Sequence, residues 1–373
     1  MISNKSDLFL ILAFVKDVFP SKILIKNIFY KHPESFVEIF TGDFIPDDFK
    51  MSEKEAIKNI RISIKNINCQ QIKEKLNKKN IQFVSFCDDN YPKTLKNIDD
   101  PPFVLFYKGN IALLGNLSKV AIVGTRQATN YGKNFCFKFS SMLSERDVII
   151  VSGLASGIDT YAHKGALKNG KTIAVFGTGI DNIFPAENKT LFEEMLQNNN
   201  LVVSEYPPGI EGMPWNFPQR NRIISGLSSA VVVVEGDLQS GALITARFAI
   251  KQDKPLFAIP GPIDSPASNG PNILIKSGVA ELLTSVNDVL ERIGVDKQVN
   301  LDFSSVENPM EELSEVQKNI FKLLLTKPVS FDLLHQELNL NVSELVRELS
   351  ILELKGFIEK TLTSEYIKKD SYI

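Results

Sequence analysis

Cysteine and histidine are scarce in this sequence. Of 373 residues, three are Cys (Cys69, Cys87, Cys136) and three are His (His32, His163, His335). The cysteines are odd in number and scattered. They form neither a disulfide framework nor the closely spaced ligand pairs of a zinc site. The histidines lie far apart, which weakens any His-cluster metal site. Long apolar runs are missing too. Near the start the only one is Leu8 to Val15, bounded by Asp7 and Lys16. It falls far short of the ~20 residues that span a bilayer and lacks a small-residue cleavage site, so it reads as a core helix. Neither charge dominates, for Lys+Arg is 42, Asp+Glu is 44 and the net charge is −2. A histone-like, globally basic binder is excluded. A local basic groove is not, because only the local field acts there. With 43% hydrophobic and 23% charged residues the chain is ordinary for a globular protein, and its length predicts two or three domains. The cytoplasm is the default compartment.

Residues 1–90 are rich in Lys, Asn and Ile and read as a helical domain of short helices. Lys54 to Lys78 is basic, with Ile57, Ile60, Ile64 and Ile67 spaced for one helical face. Tyr91-Pro92-Lys93-Thr94-Leu95 and Asp99-Asp100-Pro101-Pro102 predict an extended connector. From Val120 the pattern changes. Six short apolar runs, Val120–Val123, Val148–Val151, Thr172–Phe176, Leu201–Val203, Ala230–Val234 and Leu256–Ile259, alternate with helical stretches. None shows polar alternation, as expected of strands buried on both faces. The fold class over 91–295 is therefore α/β, an open parallel sheet whose ligands sit beyond the carboxyl ends of the strands. A polar linker follows over 296–310. Residues 311–373 read as three helices and a strand-like tail, an order that resembles a winged helix.

The turns after these strands are the candidate sites. The first, Gly124-Thr125-Arg126 to Gly132, is not G-x-G-x-x-G, so the dinucleotide fingerprint is absent. It offers a Gly turn with a cation, leading into a helix capped by Thr129, and such a turn suits a phosphate. From spacing alone, an Arg tying the loop to a carboxylate explains it equally well. The second, Ser152-Gly153-Leu154-Ala155-Ser156-Gly157-Ile158-Asp159, forms another anion nest and enters a helix with Tyr161, His163 and Lys164. Asp159 and His163, at i and i+4, read as a helix-stabilising hydrogen bond in preference to an acid/base pair. In the third, Gly177 to Lys189, the cation is Lys189. A solvated surface lysine is the commoner reading there. The long loop after the fourth strand holds Trp215, Phe217, Arg220, Asn221 and Arg222. Rings beside arginines suit single-stranded nucleic acid, although loop aromatics more often plug a core. Asp237 to Ala246 supplies one more Gly/Ser helix start at Ser240 and Gly241. Four or five such turns along one sheet edge make a groove for several phosphates, whereas a mononucleotide enzyme needs one or two.

These residues resemble the DNA-processing protein A family (DprA/Smf). The matching segments are Tyr91-Pro92 with Leu95, Val120 to Arg126, Ser152 to Asp159 with Ala162-His163, and Gly179-Ile180-Asp181 with Pro185 and Asn188. Ser204 to Pro207, Phe217 to Ile224, and Ser240 to Ala246 running to Pro260-Gly261 complete the set. Together they cover about 90–285. The resemblance implies an extended Rossmann-like domain that binds single-stranded DNA, forms a homodimer and helps load the recombinase RecA in natural transformation. No cofactor and no catalytic residue are implied. By motif position Arg126 resembles the family's groove arginine, Lys189 its groove lysine and Phe217 the ring on which a base stacks. Arg220, Asn221 and Arg222 share one motif. With Gly124, Ser152, Gly153, Gly157, Lys164, Ser240 and Gly241 they make up the expected DNA-binding set. The termini match less closely. Where the family's sterile-alpha-motif or helix-hairpin-helix units have a Gly-x-Gly turn, this chain has Phe19-Pro20-Ser21-Lys22. In the winged-helix-like tail the third helix is expected to expose Glu344, Arg347, Glu348, Glu353 and Lys355. That balance is repelled by phosphate and favours a protein contact.

Two other functions are weighed against a non-enzymatic single-strand binder. One is a nucleotide or nucleoside-phosphate hydrolase on a related sheet. Lysine-decarboxylase-like phosphoribohydrolases carry a Pro-Gly-Gly-x-Gly-Thr-x-x-Glu loop that Asp237 to Ala246 does not reproduce. The other is an adaptor acting through its tail alone, which predicts no DNA affinity.

Overall fold

Runs of Val, Ile, Ala and Leu without polar alternation become the interior strands of a single sheet, because helices on both faces leave no solvent side to alternate toward. The computed structural model describes residues 2, 4–15, 22–115, 117–295, 313–324, 328–338, 340–354, 357–361 and 365–368. Five helices come first: α1 Lys5–Ala13, α2 Lys22–Lys31, α3 Phe36–Thr41, α4 Met51–Ile64 and α5 Cys69–Lys78. Then come β1 Gln82–Ser85, α6 Lys93–Lys96, β2 Val104–Gly109, β3 Lys119–Val123, α7 Asn130–Ser144, β4 Ile149–Ser152 and α8 Ile158–Asn169. The chain continues through β5 Thr172–Phe176, α9 Lys189–Gln197, β6 Leu201–Ser204, α10 Asn216–Leu227, β7 Ala230–Val233 and α11 Gly241–Lys251. It closes with β8 Leu256–Ala258, α12 Asn269–Lys276, β9 Glu281–Leu282 and α13 Val286–Arg292.

The strands lie in the order β1-β2-β6-β5-β4-β3-β7-β8-β9. From β6 to β9 every pairing is parallel, while β1–β2 and β2–β6 are antiparallel. The six expected strands are all present, and the sheet gains three more at its margins. β1 and β2 are a long-range antiparallel pair, and β9 is two exposed residues on the opposite edge. The chain divides into two compact units, Met1–Asp296 and Lys297–Ile373. Within the first, one apolar cluster runs from Leu8, Phe9 and Phe36 of the helices to Phe106, Val203 and Val233 of the sheet. The domain boundary expected near residue 90 therefore falls inside the β1–β2 pair. The linker expected over 296–310 lies outside the described residues.

The second unit holds α14 Glu315–Leu324, β10 Val329–Ser330, α15 Phe331–Leu338, α16 Val342–Leu354, β11 Ile358–Lys360 and β12 Glu365–Lys368. Its antiparallel strands are ordered β10-β12-β11 around a core that includes Ile320, Leu334, Leu345, Leu349 and Ile358. This is the winged-helix arrangement expected of the tail. One detail differs. Glu348 does not face solvent: it is 6% exposed and accepts hydrogen bonds from Gln317 Nε2 and Arg347 Nη2, each at 2.7 Å. The exposed residues of α16 thus include Val342, Val346, Arg347 and Glu353, which is close to neutral. Lys355, and residues 19–21 of the Phe19–Lys22 turn, lie outside the described residues.

Candidate nucleic-acid interface

In a parallel sheet the loops part where successive connections run off in opposite directions, leaving a crevice at the carboxyl ends of the strands. Here β3 has β4 on one side and β7 on the other, so the parting lies between β3 and β7. A cavity of 710 Å³ opens there. Its wall gathers Gly124 and Arg126 from the loop after β3, Phe217, Arg220 and Asn221 from α10, and Ser240 and Gly241 from the start of α11. Seven of the thirteen residues expected to bind DNA are thereby brought to one place.

The backbone is tight behind this wall. A Cβ on Gly124 would stand 2.4 Å from Ile158 Cγ1, and Thr125 N–H donates to the Glu235 carbonyl at 2.7 Å. Gly157 has φ +76°, and a Cβ there would meet the Thr125 carbonyl at 2.4 Å. Its role is to let α8 start against the β3 loop. Thr129 caps α7 as expected, accepting from Gly132 N–H at 3.2 Å. Glu235 at the end of β7 fixes that cap from below, accepting from Thr129 N–H at 2.9 Å and from its hydroxyl at 2.5 Å.

Arg126 is exposed and its guanidinium lies over the Phe217 ring, 5.4 Å from the centroid. Phe184 adds a second ring 5.2 Å from Phe217 and is 47% exposed. Phe217 itself is half-buried. Its edge fits where glycine makes room: a Cβ on Gly177 or Gly212 would come within 2.8 or 3.0 Å of the ring. The spacing left open whether Phe217 plugs a core or serves a ligand. It is packed along one edge and open to the cavity.

The second nest is already filled. The Asp159 carboxylate accepts from Gly153 N–H at 3.0 Å and Ala155 N–H at 3.4 Å. Ser152 is fully buried and donates to the Ile122 carbonyl at 2.7 Å. Ser152 is therefore an internal part of the nest, and the anion the nest holds is the chain's own, while Gly153 also lines a smaller cavity of 80 Å³ with Arg126, Phe184, Phe217 and Arg220. Asp159 is thus turned away from His163, whose Nδ1 is 2.7 Å from Thr172 Oγ1; the expected Asp159–His163 bond is not formed. Burial, aided by the Arg220 charge, lowers the His163 pKa from 6.5 to about 3. Unfolded chains take up this proton below pH 6.5 and folded ones only near pH 3, so stability falls as pH drops through that window. The slope is at most about 1.4 kcal/mol per pH unit. Burial raises the Glu205 pKa, but Arg222 and Lys22 outweigh it and bring it from 4.5 to about 2, so its contribution is intact above pH 4.5. Between pH 6.5 and 4.5 the urea midpoint of the native chain should fall more steeply than that of His163→Gln. Parallel slopes in the two proteins would refute the assignment.

Arg220 and Arg222 part company. Arg220 lines the same cavities as the aromatic pair and is 5% exposed, with Nη1 donating to the carbonyls of Gly153, at 2.9 Å, and Val175. Burial and the nearby Arg126 charge lower its pKa to about 10, against the pull of Asp159, so it stays charged at neutral pH. Asn221 accepts from Arg220 Nε and donates to the Gly241 carbonyl at 3.2 Å, linking α10 to α11. Arg222 lies apart from the cavity wall. It is 2% exposed and bonded to Glu205 at 2.7 Å and Asp100 at 3.1 Å, where Lys22 also reaches Glu205 at 2.7 Å. The structure places this residue, expected among the DNA-binding set, in a buried ion-pair network. Lys164 and Lys189 are exposed on α8 and α9. They stand outside the cavity wall, Lys164 beside Tyr161 and Lys189 4.0 Å from Glu193.

Phe184 lies in the same turn as Lys189 but lines the cavity; its sequence signal is an aromatic before Pro185 in a glycine-containing turn. Among the described residues no cluster of three His, Cys, Asp or Glu could hold a metal, and no helix is long and apolar enough to cross a membrane.

Comparison with known proteins agrees with this architecture. The pattern of the DNA recombination-mediator protein A family matches residues 82–294, and that of the DprA winged helix domain matches residues 306–361. Protein Smf of Synechocystis sp. is 35% identical over 337 residues, covering 82% of this chain and 84% of that protein. The X-ray structure of DNA processing protein A from Streptococcus pneumoniae superposes with a TM-score of 0.64 at 35% identity, over 78% of this chain and 98% of that one. The Helicobacter pylori protein, whose structure is described as giving insight into its single-stranded DNA binding mode, superposes with a TM-score of 0.53 at 33% identity. It covers 58% of this chain and 97% of that one.

Proposed function

The chain belongs to the DNA recombination-mediator protein A family, and from that premise we propose that it holds single-stranded DNA in the crevice between β3 and β7. It acts there as a mediator of recombination in natural transformation, not as an enzyme. It protects the incoming strand and helps load the RecA recombinase, working as a homodimer in the cytoplasm. The observation that carries the reading is the Arg126 guanidinium over the Phe217 ring beside an open cavity. A cation for phosphate and a π face for a base stand together, as single-strand recognition requires. The binding mode described for the Helicobacter pylori relative supports the same ligand. Support for a second copy comes from the β9 edge, where α11, α12 and β9 expose Ile250, Ile273 and Leu282.

Duplex DNA keeps its base faces stacked inside, so it can offer this site phosphates only. Single strands should therefore bind more tightly than duplex of equal length, with little sequence preference. Affinity should fall with salt at a log–log slope of about −0.7 per phosphate contacted. A titration series over salt with both forms of one oligonucleotide tests this. Equal affinities, or a flat salt response, would sink the reading.

A further inference from the structure

Between Met51 and Asn80 eight Lys and Arg face three Glu, a surplus of five positive charges in a chain whose net charge is −2. Part of that surplus is engaged internally. Lys54 pairs with Asp47 at 3.7 Å and Lys73 with Asp7 at 2.5 Å, while Arg61 donates to the carbonyls of Ile39 and Phe44 at 2.9 and 2.6 Å. The last turn of α5 is different. Lys75, Lys78 and the following Lys79 are all exposed, and three- and four-residue spacings put them on one side of the helix. Lys75 and Lys78 make no ion pair among the described residues.

Lys79 locates this turn. Its ammonium is 2.6 Å from Asp181 Oδ2, and Asp181 Oδ1 accepts from Gly209 N–H at 2.7 Å. From Asp181 the chain runs through Asn182 and Ile183 to Phe184, at most about 11 Å for three residues. Phe184 lines the cavity. The basic turn is thus anchored to the loop that carries a cavity aromatic. Asp181 neutralises Lys79, while Lys75 and Lys78 remain without an ion-pair partner among the described residues.

We propose that this turn of α5 is a second phosphate-binding surface, which takes up the backbone of single-stranded DNA as it leaves the cavity. The proposal rests on the crevice being a single-strand site. It assigns the N-terminal helices a part in binding through side-chain charge. The plain alternative is that these lysines complement the carboxyl end of the α5 dipole and touch nothing.

Strand length separates the two. In the full chain, Lys75→Gln/Lys78→Gln should leave binding of a dT oligomer of about 6 nucleotides unchanged, since that length fits within the cavity region. With one of about 30 nucleotides the log–log salt slope should become shallower by about 1.4, two phosphates at about 0.7 each. An unchanged slope with the long strand overturns the proposal. So does an equal loss at both lengths, which would place the lysines' influence at the cavity itself. Failure of the crevice reading shows separately, in the native chain, as absent binding of the short oligomer.

Discussion

Arg222→Ala is expected to destabilise the protein by about 3–5 kcal/mol and to leave the DNA affinity of the folded molecules unchanged. The guanidinium is 2% exposed and grips two carboxylates, Glu205 at 2.7 Å and Asp100 at 3.1 Å. It also donates to the Asp100 carbonyl at 2.8 Å. Removing it leaves Glu205 buried, with Glu205 Oε2 already without a hydrogen-bond partner and Lys22 as its remaining cation. An ion pair broken from one side strands a charge in a poorly solvated place, and that accounts for the size of the loss. Arg222→Lys should fall between the two, because it keeps the charge and loses the two-pronged geometry. Urea unfolding measures the stability, and anisotropy below the transition measures the affinity. A protein with a native midpoint and weakened DNA binding would return Arg222 to the binding surface.

Phe217→Ala should weaken single-strand binding by about 1–3 kcal/mol, the usual worth of a base stacked on a ring. It should also lower the melting temperature, because the ring edge fills the space beside Gly177 and Gly212. Trp or Tyr should keep most of the binding, and Leu should not. Arg126→Ala should make the salt slope shallower by about 0.7. These effects should not add. Arg126 stands 5.4 Å from the ring centroid, so each side chain orders the other, and the double variant should lose less than the sum by about 0.5–2 kcal/mol. Strictly additive losses would mean that the two act at separate points on the strand.

How much of this was legible in the sequence depended on whether one residue's neighbours decide its environment. The strands β3 to β8 were legible because burial on both faces leaves an unbroken apolar run. β1 and β2 were not, since Gln82–Ser85 pairs with Val104–Tyr107 across a stretch rich in proline, and neither segment alternates strongly. Arg126 and Phe217 line the cavity because they stand just beyond a strand end and at a helix start, positions legible in the sequence. Arg220 and Arg222 could not be told apart, because two residues along a helix point to nearly opposite sides. Which side met the cavity depended on Asp100 and Glu205, distant in sequence. The second nest misled for the same reason: Gly153 and Ala155 announce an anion, but not that Asp159 supplies it.

That internal carboxylate has a consequence for competition inside a cell. Small phosphorylated metabolites bind loops of this kind by inserting one phosphate among free N–H groups. Here such a visitor finds a tenant attached to the same chain, one that cannot be diluted away. A monomer with a single phosphate should gain little at this spot, whereas a strand bound as proposed would reach Arg126 and Phe217 as well. That nest therefore offers no seat to a lone phosphate, and a free nucleotide should compete with a strand only at the other turns of the crevice.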